Sequence, residues 1–296
     1  MHTRPGAWKK HAIGYMFLAP WLLGLLGLTA VPMLSSLYLS FTDYEMFNRP
    51  QWVGWQNYTR MFSDPQFLDS VRVTVTYVTV SVPLQLLTAL AVALLLNRGV
   101  RGLGVYRAVF YVPSLFGGSV AIGLLWQRLF GGDGVFNHIL ALFGIQGMNW
   151  VSSPQTALYT LVVLAAWQFG APMVIFLAGL KQIPVELYEA ATIDGAGVMA
   201  RFFRITLPLL TPILFFNLVM QIIHAFQVFT PAYVVSNGTG GPLDATLFYS
   251  LYLYQAGFVN FRMGYASAMA WLLLAVVAVI SGLLFATSRK WVYYNE

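Results

Sequence analysis

Six stretches of this chain are too long and too apolar to be hidden inside a water-soluble core, and they decide what it can fold into. They run over Ile13–Phe41, Val71–Leu96, Ala108–Phe130, Thr156–Leu180, Leu209–Val235 and Gly264–Thr287. A helix needs roughly 20 apolar residues to cross hydrocarbon, whereas a barrel strand needs about half that number. The runs therefore predict an all-α membrane protein with six transmembrane helices. Composition agrees: 58% of the 296 residues are hydrophobic and 9% are charged, against roughly 25% charged in soluble domains. Residues 1–296 read as a single transmembrane domain without internal repeats. The first run is too long for the apolar core of a signal peptide and is read as a retained helix. Pro20, Pro32, Pro83, Pro113, Pro172, Pro212 and Pro231 fall inside the runs. Membrane helices tolerate them because neighbouring groups satisfy the carbonyls that proline leaves free.

Charge in the flanks gives the orientation. With the N-terminus inside, the inner flanks hold Arg4, Lys9, Lys10, Arg98, Arg101, Arg107, Lys181, Arg201, Arg204, Arg289 and Lys290, and the outer flanks hold only Arg49, Arg60, Arg72, Arg128 and Arg262. An excess of Lys and Arg marks the cytoplasmic side, so both termini are expected in the cytoplasm of a multi-pass inner-membrane protein. The net charge of +6 follows from these flanks. It forms no single basic patch of the kind that binds nucleic acid.

Several chemistries are excluded or disfavoured. There is no Cys, and His2, His11, His138 and His224 are scattered, so no metal site and no thiol chemistry is expected. A phosphate-binding loop needs Gly-Lys followed by Ser or Thr; Lys9, Lys10, Lys181 and Lys290 each follow a residue other than Gly. No Asp or Glu lies deep in a run, which argues against the carboxylate relays of proton-coupled transporters. No nucleophile–base pair appears, so an enzyme is disfavoured and no catalytic residue is named.

The loop Lys181–Pro208 stands apart from the simple connectors. Pro184 suits a helix start, Glu186 and Glu189 suit the positive end of the helix dipole, and Leu187, Ala190 and Ala191 share one small apolar face. Asp194-Gly195-Ala196-Gly197 ends that helix, a second amphipathic stretch covers Val198–Leu207, and Pro208 is expected to close it just before the fifth span. An amphipathic linker lying on the membrane surface is the plain alternative. A narrow face of small residues with acidic flanks fits a protein groove better than an anionic lipid surface.

The pattern Glu189-Ala190-Ala191, three residues, Gly195, nine residues, Ile205, one residue, Leu207-Pro208 resembles the EAA loop of ABC importer permeases of the binding-protein-dependent type. Pro184 to Ala196, Leu37 to Asp43, Val53-Gly54-Trp55-Gln56-Asn57-Tyr58 and Asp64-Pro65-Gln66-Phe67 are similar to the carbohydrate-uptake group, in particular its maltose- and glycerol-3-phosphate-like first subunits. The resemblance implies a type I importer transmembrane domain whose loop carries a coupling helix. It assigns docking on an ATPase to Leu187, Tyr188, Glu189, Ala190, Ala191, Asp194, Gly195, Ile205, Leu207 and Pro208; for Ile205, Leu207 and Pro208 a packed elbow is an equal reading. It also implies a second related permease subunit, a cytoplasmic ABC ATPase dimer that hydrolyses ATP with Mg, and an extracellular solute-binding protein. No cofactor is expected on this chain.

The path for the solute is sought among polar residues within the spans. Asn217, Gln221 and His224 fall at i, i+4 and i+7, on one helical face, with Gln227 about a quarter-turn away. Beside Phe226 and Phe229 they suit sugar hydroxyls and the apolar faces of sugar rings; interhelical hydrogen bonding is an equal reading. Trp167, Gln168, Gln85 and Gln127 are weaker candidates. A neutral sugar or oligosaccharide is the leading substrate. Glycerol-3-phosphate or another polyol or charged solute is the alternative within the class, and an ion-coupled secondary transporter the alternative outside it.

Overall fold

The computed structural model describes residues 7–99 and 101–293, with side chains from Tyr15 onward. His2 and Arg4 lie outside the described residues, as do the side chains of Lys9, Lys10 and His11. Among the described residues the regular structure is helical apart from one hairpin of two-residue strands and one isolated bridge between Glu45 and Arg262. Among the described residues, five helices are long and apolar enough to cross a membrane: Tyr15–Ser40, Pro65–Leu96, Ala157–Leu180, Val198–Val235 and Met263–Ser288. The pair Leu103–Phe116 and Val120–Leu142 makes a sixth span if counted as one, but it is bent by 98°. The expected straight helix over Ala108–Phe130 is therefore broken in its middle. The cause is local: Gly117 and Gly118 have poor helix propensity, and extended Ser119 (φ −85°, ψ 151°) restarts the helix by accepting from the Ile122 amide at 3.4 Å.

The fifth span also departs from expectation. Pro208 does not close the stretch before it; Val198–Arg201, a π turn over Phe202–Thr206 and Leu207–Phe226 follow one another without a gap. The Leu207 amide reaches back five residues to the Phe202 carbonyl. The same thing happens before Pro32, where the Val31 amide bonds Leu26 across the π turn Leu25–Ala30. A proline ring crowds the preceding turn, and a widened turn is one way for the helix to continue through it.

The chain divides into two compact units, the first running up to Ser63 together with Leu253–Leu274 and the second comprising Asp64–Tyr252 and the chain from Ala275. In the first unit, the apolar window of the initial span buries none of its residues. After it, Thr42–Asp43 pairs antiparallel with Gln51–Trp52. Asn57 locks this turn by donating from Nδ2 to the Ser40 and Thr42 carbonyls, both at 2.9 Å, and the Tyr58 hydroxyl bonds Ser40 Oγ at 2.9 Å. The motif read as an outer loop is thus a folded structure.

In the second unit, Pro65–Leu96 is the central helix. Asp64 caps it, accepting from the Gln66 amide at 3.1 Å and from the Tyr252 hydroxyl. Its buried residues recur at helical spacing, through Thr74, Tyr77, Ser81, Gln85, Ala89 and Ala93, and it packs against the fourth and fifth spans. After the sixth span the chain folds back on the fifth: Val292 packs with Phe215 and Val219, and the Tyr293 amide bonds Thr211 Oγ1 at 2.9 Å.

Candidate functional site

Two places collect the residues singled out in the sequence. The first is the elbow between the fourth and fifth spans. Its short helix is Val185–Ile193, with Pro184 as its cap (φ −57°, ψ 133°) one position before the first helical residue, and Glu186 in its first turn. The helix ends in a Schellman motif: Ala196 N–H donates to the Ala191 carbonyl at 2.8 Å and Gly195 N–H to the Thr192 carbonyl at 3.1 Å. That closure requires a left-handed residue, and Gly195 supplies it with φ +77°. Leu187, Glu189, Ala190, Asp194 and Gly195 are exposed, and Ile193 is 86% exposed.

Tyr188 points the other way. Its hydroxyl shares a 2.9 Å hydrogen bond with Thr206 Oγ1, which is buried in the π turn of the fifth span. Arg201 donates to Thr192 Oγ1 at 2.9 Å, and Thr192 donates to the Tyr188 carbonyl at 2.6 Å. Through these bonds the short helix is fastened to the base of the fifth span.

The second place is a cavity of 220 Å³ where three spans are broken. Gly117 and Gly118 come from the break in the third span, Gln168 from the fourth, and Gln227, Phe229 and Thr230 from the fifth. Tyr77 of the central helix completes its polar wall. The breaks in the fourth and fifth spans share a cause: Pro172 follows Gln168, and Pro231 follows Gln227, by four residues. Each proline lacks the N–H that an unbroken helix would offer the glutamine carbonyl. The Gln168 carbonyl is satisfied instead by Gln85 Nε2 at 3.0 Å and Ser114 Oγ at 3.1 Å. Ser114 Oγ in turn accepts from the Ala171 amide at 2.9 Å. All of the residues lining the cavity are uncharged, so it offers amide and hydroxyl groups beside aromatic surface.

Residues 60–293 match the family described as the binding-protein-dependent transport system inner membrane component. The chain belongs to this family. It is 53% identical over 290 residues to the probable ABC transporter permease protein YesP of Bacillus subtilis (strain 168), covering 97% of this chain and 94% of the relative. It is 33% identical over 286 residues to the lactose transport system permease protein LacF of Rhizobium radiobacter, covering 94% of each. Among solved structures, a chain of the bacterial alginate ABC transporter in complex with alginate pentasaccharide-bound periplasmic protein aligns with a TM-score of 0.82 at 22% identity, over 95% of this chain and 96% of that one. That likeness carries the fold: the chain has the transmembrane architecture of an ABC importer permease, a multi-pass membrane protein.

Within the permease the predicted site residues separate. Gln168 and Gln227 meet at the cavity, whereas Asn217, Gln221, His224 and Trp167 do not line it. Asn217 is buried, and its Nδ2 lacks a hydrogen-bond partner among the described residues; Gln221 is half-buried and His224 is exposed. Gln227 lies beyond the last turn of its helix rather than on its face. Trp167 is 38% exposed, with its ring 6.0 Å from Trp126. Gln85 and Gln127 are structural: the first bonds the freed carbonyl of Gln168, and the second donates to the Val234 carbonyl at 2.7 Å. In the elbow, Ile205, Leu207 and Pro208 are half-buried within continuous helix. Sequence reading missed Tyr77, Gly117, Gly118 and Thr230. The signal for the breaks was present as a glutamine four residues before proline, twice, and as Gly-Gly-Ser inside an apolar run.

Proposed function

We propose that this permease passes a neutral sugar or oligosaccharide, received from an extracellular solute-binding protein, and is driven by a separate cytoplasmic ATPase docked on the elbow. The observation that carries the solute class is the uncharged cavity at the three helix breaks. Amide and hydroxyl groups beside Phe229 match a ligand whose hydroxyls need hydrogen bonds and whose ring faces are apolar. Broken helices are a recurrent way to expose polar groups to a solute at membrane depth. The lactose named for one relative points to the same class. A phosphorylated polyol would need a cationic partner in the path, and no Lys or Arg lines this cavity.

The elbow is read as the coupling helix, on the cytoplasmic side with both termini. Val185–Ile193 exposes small and acidic residues toward a partner, while Tyr188 and Arg201 tie it to the fifth span. A second related permease subunit completes the pore, and ATP with Mg is consumed on the ATPase.

Gln227→Ala tests the solute reading with little structural cost, because Gln227 is exposed and outside the helix. Losing a solute hydrogen bond worth about 1–1.5 kcal/mol lowers uptake on the order of tenfold. Uptake of neutral oligosaccharides is measured in cells expressing the whole transporter, at equal protein abundance. Normal uptake by the variant, or wild-type uptake confined to phosphorylated polyols, would overturn the assignment.

A further inference from the structure

The elbow is divided by charge. Residues 185–194 carry Glu186, Glu189 and Asp194 and no basic residue, whereas residues 195–208 carry Arg201 and Arg204 and no acidic one. The basic half also exposes apolar surface, with Val198 67%, Met199 73% and Phe203 61% exposed. Beside it lies a second cavity, of 450 Å³. Asn97 and Arg98 reach it from the end of the second span, Leu180 from the end of the fourth, and Met199, Arg201 and Phe202 from the start of the fifth. No carboxylate is among its lining residues.

We infer that this cavity binds the headgroup of an anionic phospholipid of the inner leaflet. The inference rests on the cytoplasmic placement of the elbow proposed above. Two guanidinium groups with an amide beside them suit a phosphate diester, because guanidinium is weakly hydrated and donates in a planar fork. The apolar remainder of the lining distinguishes an amphiphile from free phosphate: Leu180, Met199 and Phe202 offer the start of an acyl chain a dry surface. Basic pockets at the cytoplasmic ends of membrane helices are placed where anionic lipid is concentrated. The acidic half of the elbow, by contrast, is repelled by that surface and left for a protein partner.

The site has a route to transport. Arg201 already donates to Thr192 Oγ1, and Thr192 donates to the Tyr188 carbonyl. A headgroup held by Arg201 and Arg98 therefore fixes the residue that fastens the coupling helix to the fifth span. Bound lipid raises the amount of solute moved per ATP hydrolysed by keeping that fastening rigid.

The test uses the whole transporter, permease pair and ATPase together, in proteoliposomes of phosphatidylcholine with or without phosphatidylglycerol at fixed ionic strength. One arginine–headgroup interaction is expected to tighten headgroup binding about fivefold, and solute moved per ATP is expected to rise with the anionic lipid. Arg98→Gln should abolish most of that rise, and Arg98→Lys should restore part of it. Arg98 has no hydrogen bond to the elbow among the described residues, so its variants separate headgroup binding from elbow damage, which Arg201→Gln would confound. Native mass spectrometry should show phosphatidylglycerol retained by the wild-type complex and lost from Arg98→Gln. An equal lipid response in wild type and Arg98→Gln would overturn the site. So would reproduction of the effect in phosphatidylcholine by millimolar inorganic phosphate, which would assign the cavity to a soluble anion. Failure of the permease to co-purify with an ATPase would instead remove the coupling reading, and is scored separately before any lipid is varied.

Discussion

The elbow and the central cavity are both built where helices stop, but they satisfy the freed backbone in opposite ways. At the elbow the helix Val185–Ile193 closes on itself: Gly195 and Ala196 donate to carbonyls of the same helix, and the turn is exposed. At the cavity the break beside Gln168 is closed by side chains from two other helices, Gln85 and Ser114. The difference follows from the surroundings. An exposed turn has water for any group its own backbone leaves over, whereas a break within the membrane must find every partner in neighbouring protein. The elbow can thus present an independent surface, while the cavity couples its shape to the packing of three spans.

The largest effect expected from this contrast is at Gly195. A β-branched residue at φ +77° costs about 1–2 kcal/mol of backbone strain, and the helix end that carries Asp194 loses its direction. Gly195→Val should cut uptake by on the order of tenfold or more while membrane insertion stays normal, as judged by abundance and protease mapping. Gly195→Asn, which tolerates the left-handed region, should keep most activity. Because a Cβ here meets nothing within 4 Å in the chain, loss of activity in Gly195→Asn would show that partner contact, rather than the turn, requires glycine.

Gly117 gives the next effect and tests the other side of the comparison. A Cβ there would lie 2.1 Å from Gln168 Cδ. Gly117→Ala must displace the Gln168 side chain, which donates to the Gly117 carbonyl at 3.2 Å. The expected result is an altered ranking among neutral oligosaccharides, several-fold for the most affected, in a competition uptake assay. If Gly117→Ala instead lowers uptake of every sugar equally, as the elbow variants should, the two regions are not functionally distinct.

The sequence made the elbow more legible than the cavity, for a physical reason. Glu186 in the first turn and Asp194-Gly195 at the stop are local signals, since each acts through backbone within a few residues of itself. Apolar length likewise located the spans, because crossing hydrocarbon is a property of one segment at a time. The cavity is assembled by breaks, and a break is hidden in an apolar average. Asn217, Gln221 and His224 do share one unbroken helix, Leu207–Phe226, but the cavity forms at the break after it, where Gln168 and Gln227 each stand four residues before a proline. Pro208 misled in the opposite direction: a widened turn over Phe202–Thr206 lets the helix run through it.

Ser114 carries a smaller but cleaner effect. Its hydroxyl serves the Gln168 carbonyl and the Ala171 amide together. Ser114→Ala leaves the amide without that acceptor and the carbonyl with only Gln85, at a cost of about 1–3 kcal/mol. The thermal midpoint of the purified permease should fall, whereas Ser119→Ala, which removes a single long cap bond at 3.4 Å, should lower it less.

The smallest expected change is the most informative about how the elbow and the spans communicate. Tyr188→Phe keeps the ring and its packing and removes one hydroxyl, whose partner Thr206 is 5% exposed. The net loss is about 1 kcal/mol, too little to unfold a membrane protein or to release an ATPase docked as proposed above. If the bond transmits motion, solute moved per ATP falls while co-purification with the ATPase and its turnover are unchanged. Thr206→Val, which also gives up a long 3.5 Å bond to the Arg201 carbonyl, should have the same or a slightly larger effect, and the double variant should be no worse than Thr206→Val alone, because the bond to Tyr188 is then already lost. Additive losses would mean that the two hydroxyls act separately and that the elbow moves the fifth span through its covalent connection and Arg201 alone.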